Sequence, residues 1–134
     1  MSYTNLITMK TLYFNTRDEL IKVDLKYVMY FESDGNYTHV HFTNGCEAML
    51  LISLTHLEEL IDNKLKGSGQ PFIRIGKKYI VNSLFIFHIN VPKQQLVLTD
   101  FLHTGCKTLA ISKEALKQIK NLYRTKENNG DNNR

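Results

Sequence analysis

Residues 27–43 read Tyr27-Val28-Met29-Tyr30-Phe31-Glu32-Ser33-Asp34-Gly35-Asn36-Tyr37-Thr38-His39-Val40-His41-Phe42-Thr43. Aromatic and β-branched residues crowd both halves, and Asp34-Gly35-Asn36 interrupts them with residue types that readily take the positive φ of a tight turn. The stretch is a β-hairpin of residues 27–33 with 37–43. Directly after it, Asn44-Gly45 makes a second turn into residues 46–52, so three consecutive strands form a meander. Upstream, residues 10–15 and 19–24 flank the polar turn Thr16-Arg17-Asp18 as another hairpin.

Downstream the period changes. Leu54, Leu57, Ile61 and Leu65 fall at helical spacing, and Thr55 with Glu58 has the form of a capping box, which predicts a helix over 54–65. Lys66-Gly67-Ser68-Gly69-Gln70-Pro71 ends it. Residues 72–81 carry extended and turn signals together, and the pattern does not choose between them. Residues 84–89 and 96–100 read as strands around Asn90-Val91-Pro92-Lys93, and 107–111 as the strand that closes the sheet. Ser112 is placed to cap a last helix whose Ala115, Leu116, Ile119, Leu122 and Tyr123 make an apolar stripe. Residues 125–134 hold four Asn, one Gly and no apolar residue, the composition of a disordered tail. The expected order is an extension over 1–9, one mainly β domain over 10–124 with six to eight strands, one inserted and one appended helix, and the tail.

With 134 residues and 43% hydrophobic content, the chain can build one genuine core. Seventeen Lys and Arg against thirteen Asp and Glu give a net charge of +4, which leans toward polyanions. Cys46 and Cys106 lack metal or redox spacing and read as small buried hydrophobes of a reducing compartment. Neither a signal peptide nor a membrane span is visible, and a cytoplasmic location is expected.

The ingredients of catalysis are present without its geometry. His39-x-His41 puts two imidazoles on one strand face, which suits a metal if a third ligand converges and suits a solvated face otherwise. Gly67-Ser68-Gly69 lacks the Gly-Lys-Ser/Thr that opens a P-loop helix and reads as a connector. Basic residues are more telling. In Ile73-Arg74-Ile75-Gly76-Lys77-Lys78-Tyr79, alternation sets Arg74 on the face away from Ile73 and Ile75, and Gly76 breaks the strand, leaving a basic protrusion or a solvated turn. Lys113 lies in the first turn of the last helix, where free N–H groups and the dipole attract anions. A lysine there gains nothing from the dipole, so either an anionic ligand or simple solvation accounts for it.

Several blocks resemble, in order and spacing, the LytTR DNA-binding domain of bacterial transcription regulators. They are residues 27–33, Asn36-Tyr37-Thr38, the helix start from Ser53-Leu54 to Leu60, Phe72 with Arg74, Tyr79-Ile80-Val81-Asn82 and Ile111-Ser112-Lys113. The resemblance spans about residues 10–123. It implies an elongated antiparallel fold of three small sheets with two short helices, which binds double-stranded DNA through loops in successive major grooves at promoter repeats. It also implies no cofactor and no catalysis, and it is compatible with a homodimer on DNA; no metal site is expected.

Carried over by position, the DNA-contacting residues are Asn36, Tyr37, Thr38, Gly76, Lys77, Lys78, Ser112 and Lys113, with Arg74 neutralising phosphate beside them. Tyr37 suits the core equally well. Many relatives have His-Arg-Ser or His-Asn-Ser at Gly76-Lys77-Lys78, and Ser-Arg at Ser112-Lys113. Lysine meets guanine as a flexible point charge where arginine forks onto it, which implies softer discrimination or a different target. Relatives often follow a phosphoacceptor receiver domain, for which residues 1–9 are too short. The expectation is therefore a regulator standing alone or the DNA-binding fragment of a response regulator. A protein-interaction module of the same fold that has lost DNA affinity is the alternative.

Overall fold

Gly35 adopts φ 63° at the first central position of the turn in residues 27–43, while Asn36 stays out of the left-handed region. That is the φ pattern of a Gly-led two-residue hairpin loop, and it matches the right-handed twist of its strands. The hairpin it closes is the centre of a computed structural model that describes residues 10–67, 69–103 and 105–127. The extension over 1–9, Ser68 of the glycine-rich connector and residues 128–134 of the expected tail lie outside the described residues. The chain divides into two compact units, Met1–Leu84 and Phe85–Arg134.

In the first unit, β1 (Thr11–Asn15) and β2 (Leu20–Asp24) form a two-stranded antiparallel sheet. A 3-10 turn leads to β3 (Val28–Asp34), β4 (Tyr37–Phe42) and β5 (Glu47–Leu50), followed by α1 (Leu54–Lys64), β6 (Phe72–Ile75) and β7 (Tyr79–Asn82). The last five strands make one antiparallel sheet in the order β5-β4-β3-β7-β6. Residues 72–81, whose pattern chose neither extended nor turn structure, are thus a second tight hairpin, and the strands number ten among the described residues rather than six to eight.

Period-two alternation sends Phe31, Val40, Leu50 and Ile80 to one sheet face, where they join Leu54, Leu57, Ile61 and Leu65 in a buried cluster. Each such side chain removed from water contributes about 1.5–3 kcal/mol. The cap of α1 is Ser53, whose hydroxyl accepts from the His56 N–H at 3.2 Å, and not the Thr55–Glu58 pair. Two buried polar residues tie the sheet together. Asn82 donates to the Val28 carbonyl at 2.9 Å and accepts from the Leu84 N–H at 3.0 Å, joining the end of β7 to the start of β3. Thr38 donates to the Ile52 carbonyl at 2.8 Å.

In the second unit, β8 (Ile86–Asn90), β9 (Gln95–Leu98) and β10 (Lys107–Ala110) form a three-stranded antiparallel sheet, and α2 spans Lys113–Glu127. Leu96, Leu98, Leu109, Ile111, Leu116 and Ile119 are buried here. Of the expected stripe on α2, Leu116 and Ile119 are in the core and Leu122 is half exposed. The helix backbone continues to Glu127, three residues into the expected tail. After β9, Asp100 accepts from the N–H groups of Leu102 and His103, both at 3.0 Å, and faces His103 Nδ1 at 2.7 Å. Burial works against its charge, but the N–H of His103, the His103 ring and the N–H of Leu102 outweigh that and hold the carboxyl below its ordinary value. The same loop leaves Phe101 75% and Leu102 86% exposed. Cys46 and Cys106 are free and exposed, contrary to the burial their type suggested, because Cys46 follows the Asn44-Gly45 turn and Cys106 precedes β10. No helix among the described residues is long and apolar enough to cross a membrane.

Candidate nucleic-acid interface

The β3–β4 turn and the β6–β7 turn emerge from the same end of the five-stranded sheet, and strand order is the cause. Because β7 runs antiparallel beside β3, Glu32 pairs with Tyr79, and the Ser33 N–H reaches the Lys78 carbonyl at 2.8 Å. The last residues of β3 therefore lie alongside the residues that open β7. Asn36 and Tyr37 in one turn, and Gly76, Lys77 and Lys78 in the other, are all exposed. Gly76 takes φ 61° with open space around it, so backbone conformation and not crowding selects glycine.

The basic residues here have different circumstances. Lys77 forms no ion pair or hydrogen bond with any described residue. Lys78 Nζ lies 3.7 Å from Glu32 Oε2 and 5.4 Å from the centre of the Tyr79 ring. Arg74 points to the α1 side, where Nη1 meets Glu58 Oε1 at 2.8 Å and Nε donates to the Gly76 carbonyl at 2.7 Å. Thr38 is fully buried, its hydroxyl committed to Ile52. Leu51, next after β5 at this end of the sheet, is 64% exposed and went unnoticed in the sequence, since an apolar residue inside a predicted strand carries no surface signal.

On the opposite sheet face the two histidines separate. His39 Nε2 meets Asp34 at 2.9 Å, while His41 Nε2 meets Glu32 at 3.1 Å and its Nδ1 lies 3.5 Å from Glu47. Each imidazole has its own carboxylate, and no group of three or more ligand-type residues converges for a metal among the described residues. His41 also stacks on Tyr30, with ring centres 4.1 Å apart and planes 9° from parallel. Burial pushes the Tyr30 phenol upward, with Glu32, Tyr79 and Glu47 adding to the effect, so it stays neutral. Asp34 and Glu32, acids beside the two turns, thus each face an imidazole.

In the second unit Ser112 caps α2: its hydroxyl accepts from the Ala115 N–H at 3.2 Å and its carbonyl from Leu116 at 3.0 Å. Lys113 follows as the first helical residue and is exposed. The nine expected residues thus fall into an exposed set in the two turns, an exposed pair at the start of α2, and two, Thr38 and Arg74, whose side chains are bound within the protein.

The solved LytTr DNA-binding domain of a Bacillus cereus protein, described as a methyl-accepting/DNA response regulator, is similar in fold, with a TM-score of 0.60 at 23% identity. The likeness covers 85% of this chain and 96% of that one. No curated protein matches the sequence. The sequence profile of the LytTr DNA-binding domain matches residues 18–124, most of the chain, and with the ten-stranded, two-helix architecture it shows that this protein belongs to the LytTR DNA-binding domain family, whose members bind DNA and regulate transcription.

Proposed function

We propose that this protein binds double-stranded DNA with sequence selectivity, placing the paired turns at Gly35-Asn36-Tyr37 and Gly76-Lys77-Lys78 in a major groove. The observation that carries the reading is the β3–β7 pairing, which brings both turns out at one end of the sheet, with Asn36 exposed in one and Lys77 exposed in the other. A major groove about 12 Å wide admits a two-stranded β-ribbon. Lys77 and Lys78 neutralise phosphate or reach guanine O6 and N7, Asn36 offers both donor and acceptor to a base edge, and Tyr37 with Leu51 offers apolar contact to a thymine methyl. Ser112-Lys113 supplies a separate contact in which the N–H groups of the first turn of α2 receive a phosphate. Two copies occupy adjacent promoter repeats in the cytoplasm.

Selection from pooled random duplexes, followed by fluorescence anisotropy across a salt series, tests this. The expected result is an enriched motif whose binding weakens steeply with salt. Absence of any salt-sensitive binding would defeat it and leave the protein-interaction reading, which the exposed Phe87, Phe101 and Leu102 favour.

A further inference from the structure

Arg74 has the charge of a phosphate ligand and the position of a brace. Its cross-strand partner is the buried Ile80, so its side chain leaves the sheet on the face covered by α1. There it is 23% exposed, and its guanidinium makes two directed contacts at once, Nη1 to Glu58 on α1 at 2.8 Å and Nε to the carbonyl of Gly76 at 2.7 Å. A guanidinium is planar with its donors at fixed angles, so engaging a helix carboxylate and a turn carbonyl together fixes the direction of that carbonyl relative to the helix. Gly76 is the residue whose left-handed φ of 61° opens the turn, and with nothing within 4 Å of where a Cβ would stand, no packing holds it. The chain thus fastens a glycine-led turn from behind with a charge-assisted hydrogen bond.

We propose that Arg74 is a positioning residue that, with Glu58, holds Gly76-Lys77-Lys78 in the conformation that presents Lys77 to DNA, and that it does not itself touch the nucleic acid. This rests on the reading of that turn as a DNA contact. Without the brace the turn samples other conformations, and apparent affinity falls with the competent fraction. Lysine cannot replace arginine here, because its three donors sit on a single nitrogen and cannot occupy the separate positions of Nε and Nη1.

The test uses the full chain, the duplex enriched by selection, and four variants: Arg74→Ala, Arg74→Lys, Glu58→Gln and Lys77→Ala. Backbone amide NMR shifts of residues 76–78 in the free protein are measured alongside anisotropy across salt. A brace predicts that Arg74→Ala, Arg74→Lys and Glu58→Gln each weaken binding by about tenfold with the wild-type salt slope, and that each moves the 76–78 amides without DNA. Lys77→Ala lowers the slope by about one and leaves the brace intact. Glu58→Gln is the discriminating variant, since removing a negative charge by itself strengthens attraction to a polyanion. Should Arg74→Ala lower the salt slope while Glu58→Gln leaves affinity and amide shifts unchanged, Arg74 holds phosphate and the proposal is overturned. Should the wild-type protein bind no duplex, the DNA reading fails separately. The amide shifts still decide the brace, which is overturned if Glu58→Gln and Arg74→Lys leave them unmoved.

Discussion

In the β6–β7 turn a guanidinium caps a carbonyl, Arg74 on Gly76; in the loop after β9 a carboxylate caps amides, Asp100 on Leu102 and His103. Both segments lie outside regular ladders, both contain a residue of positive φ, Gly76 at 61° and Phe101 at 61°, and both are held by a side chain that bonds to the backbone. What they present differs completely. The first puts Lys77 and Lys78 in solvent, while the second exposes Phe101 and Leu102, with Phe87 edge-on to Phe101 at 5.4 Å between ring centres. The way a loop is fixed is therefore separable from what it offers, and only the latter selects a partner: ammonium groups suit a polyanion, and an apolar pair does not.

The largest expected effect follows from that contrast. Replacing Lys77 and Lys78 together with Ala should weaken DNA binding by roughly 100-fold and flatten its salt dependence, on the scale of lost base or phosphate contacts. Phe101→Ser with Leu102→Ser should change affinity less than about twofold, and anisotropy under one buffer compares the pairs. An equal loss in both would break the distinction between the loops.

The first turn depends on β3–β7 pairing, and the second loop does not use that sheet. Asn82→Ala leaves the buried Val28 carbonyl and the Leu84 N–H without partners, and should cost about 2 kcal/mol in denaturant unfolding. Gly76→Ala meets no steric obstacle and suffers only the left-handed φ, about 1–2 kcal/mol, read as a lower unfolding midpoint with unchanged m. The smallest effect on stability belongs to Asp100→Asn, about 1 kcal/mol and local, seen as faster amide exchange at Leu102 and His103. Its pH dependence has a defined sign. The folded carboxyl sits below an unfolded value of about 3.9, so its contribution is complete at neutral pH and is lost as pH falls through the lowered folded value. In Asp100→Asn that acid-side step disappears.

Much of this was readable along the chain. The Asp34-Gly35-Asn36 turn, the meander into β5, the stripe on α1 and the Ser112 cap are local, because turn chemistry, period and capping act within a few residues. Residues 72–81 resisted because the hairpin there is four residues a side and its alternation is hidden: β7 is buried along its whole length, so Tyr79-Ile80-Val81-Asn82 shows no polar face. Cys46 and Cys106 misled for a related reason, since residue type predicts average burial and position in the fold decides the actual one.

For the candidate site the division is sharper. The sequence alone determined that Lys77, Lys78 and Lys113 are cations at a turn and a helix start, that Asn36 sits in a tight turn, and, through ordered blocks, the family. Only the tertiary structure decided which of these lie at the same end of one sheet. Bringing the turn that holds Asn36 and the turn that holds Lys77 to one end of the sheet requires β7 to pair with β3 across the whole helix-containing segment between them, a contact that no local rule encodes. Strand order also turns Arg74 toward α1, where it meets Glu58, and the β4–β5 pairing buries Thr38 on the same face, bonded to the Ile52 carbonyl. Residue chemistry names what a side chain can bind, and long-range strand order settles what it is free to reach.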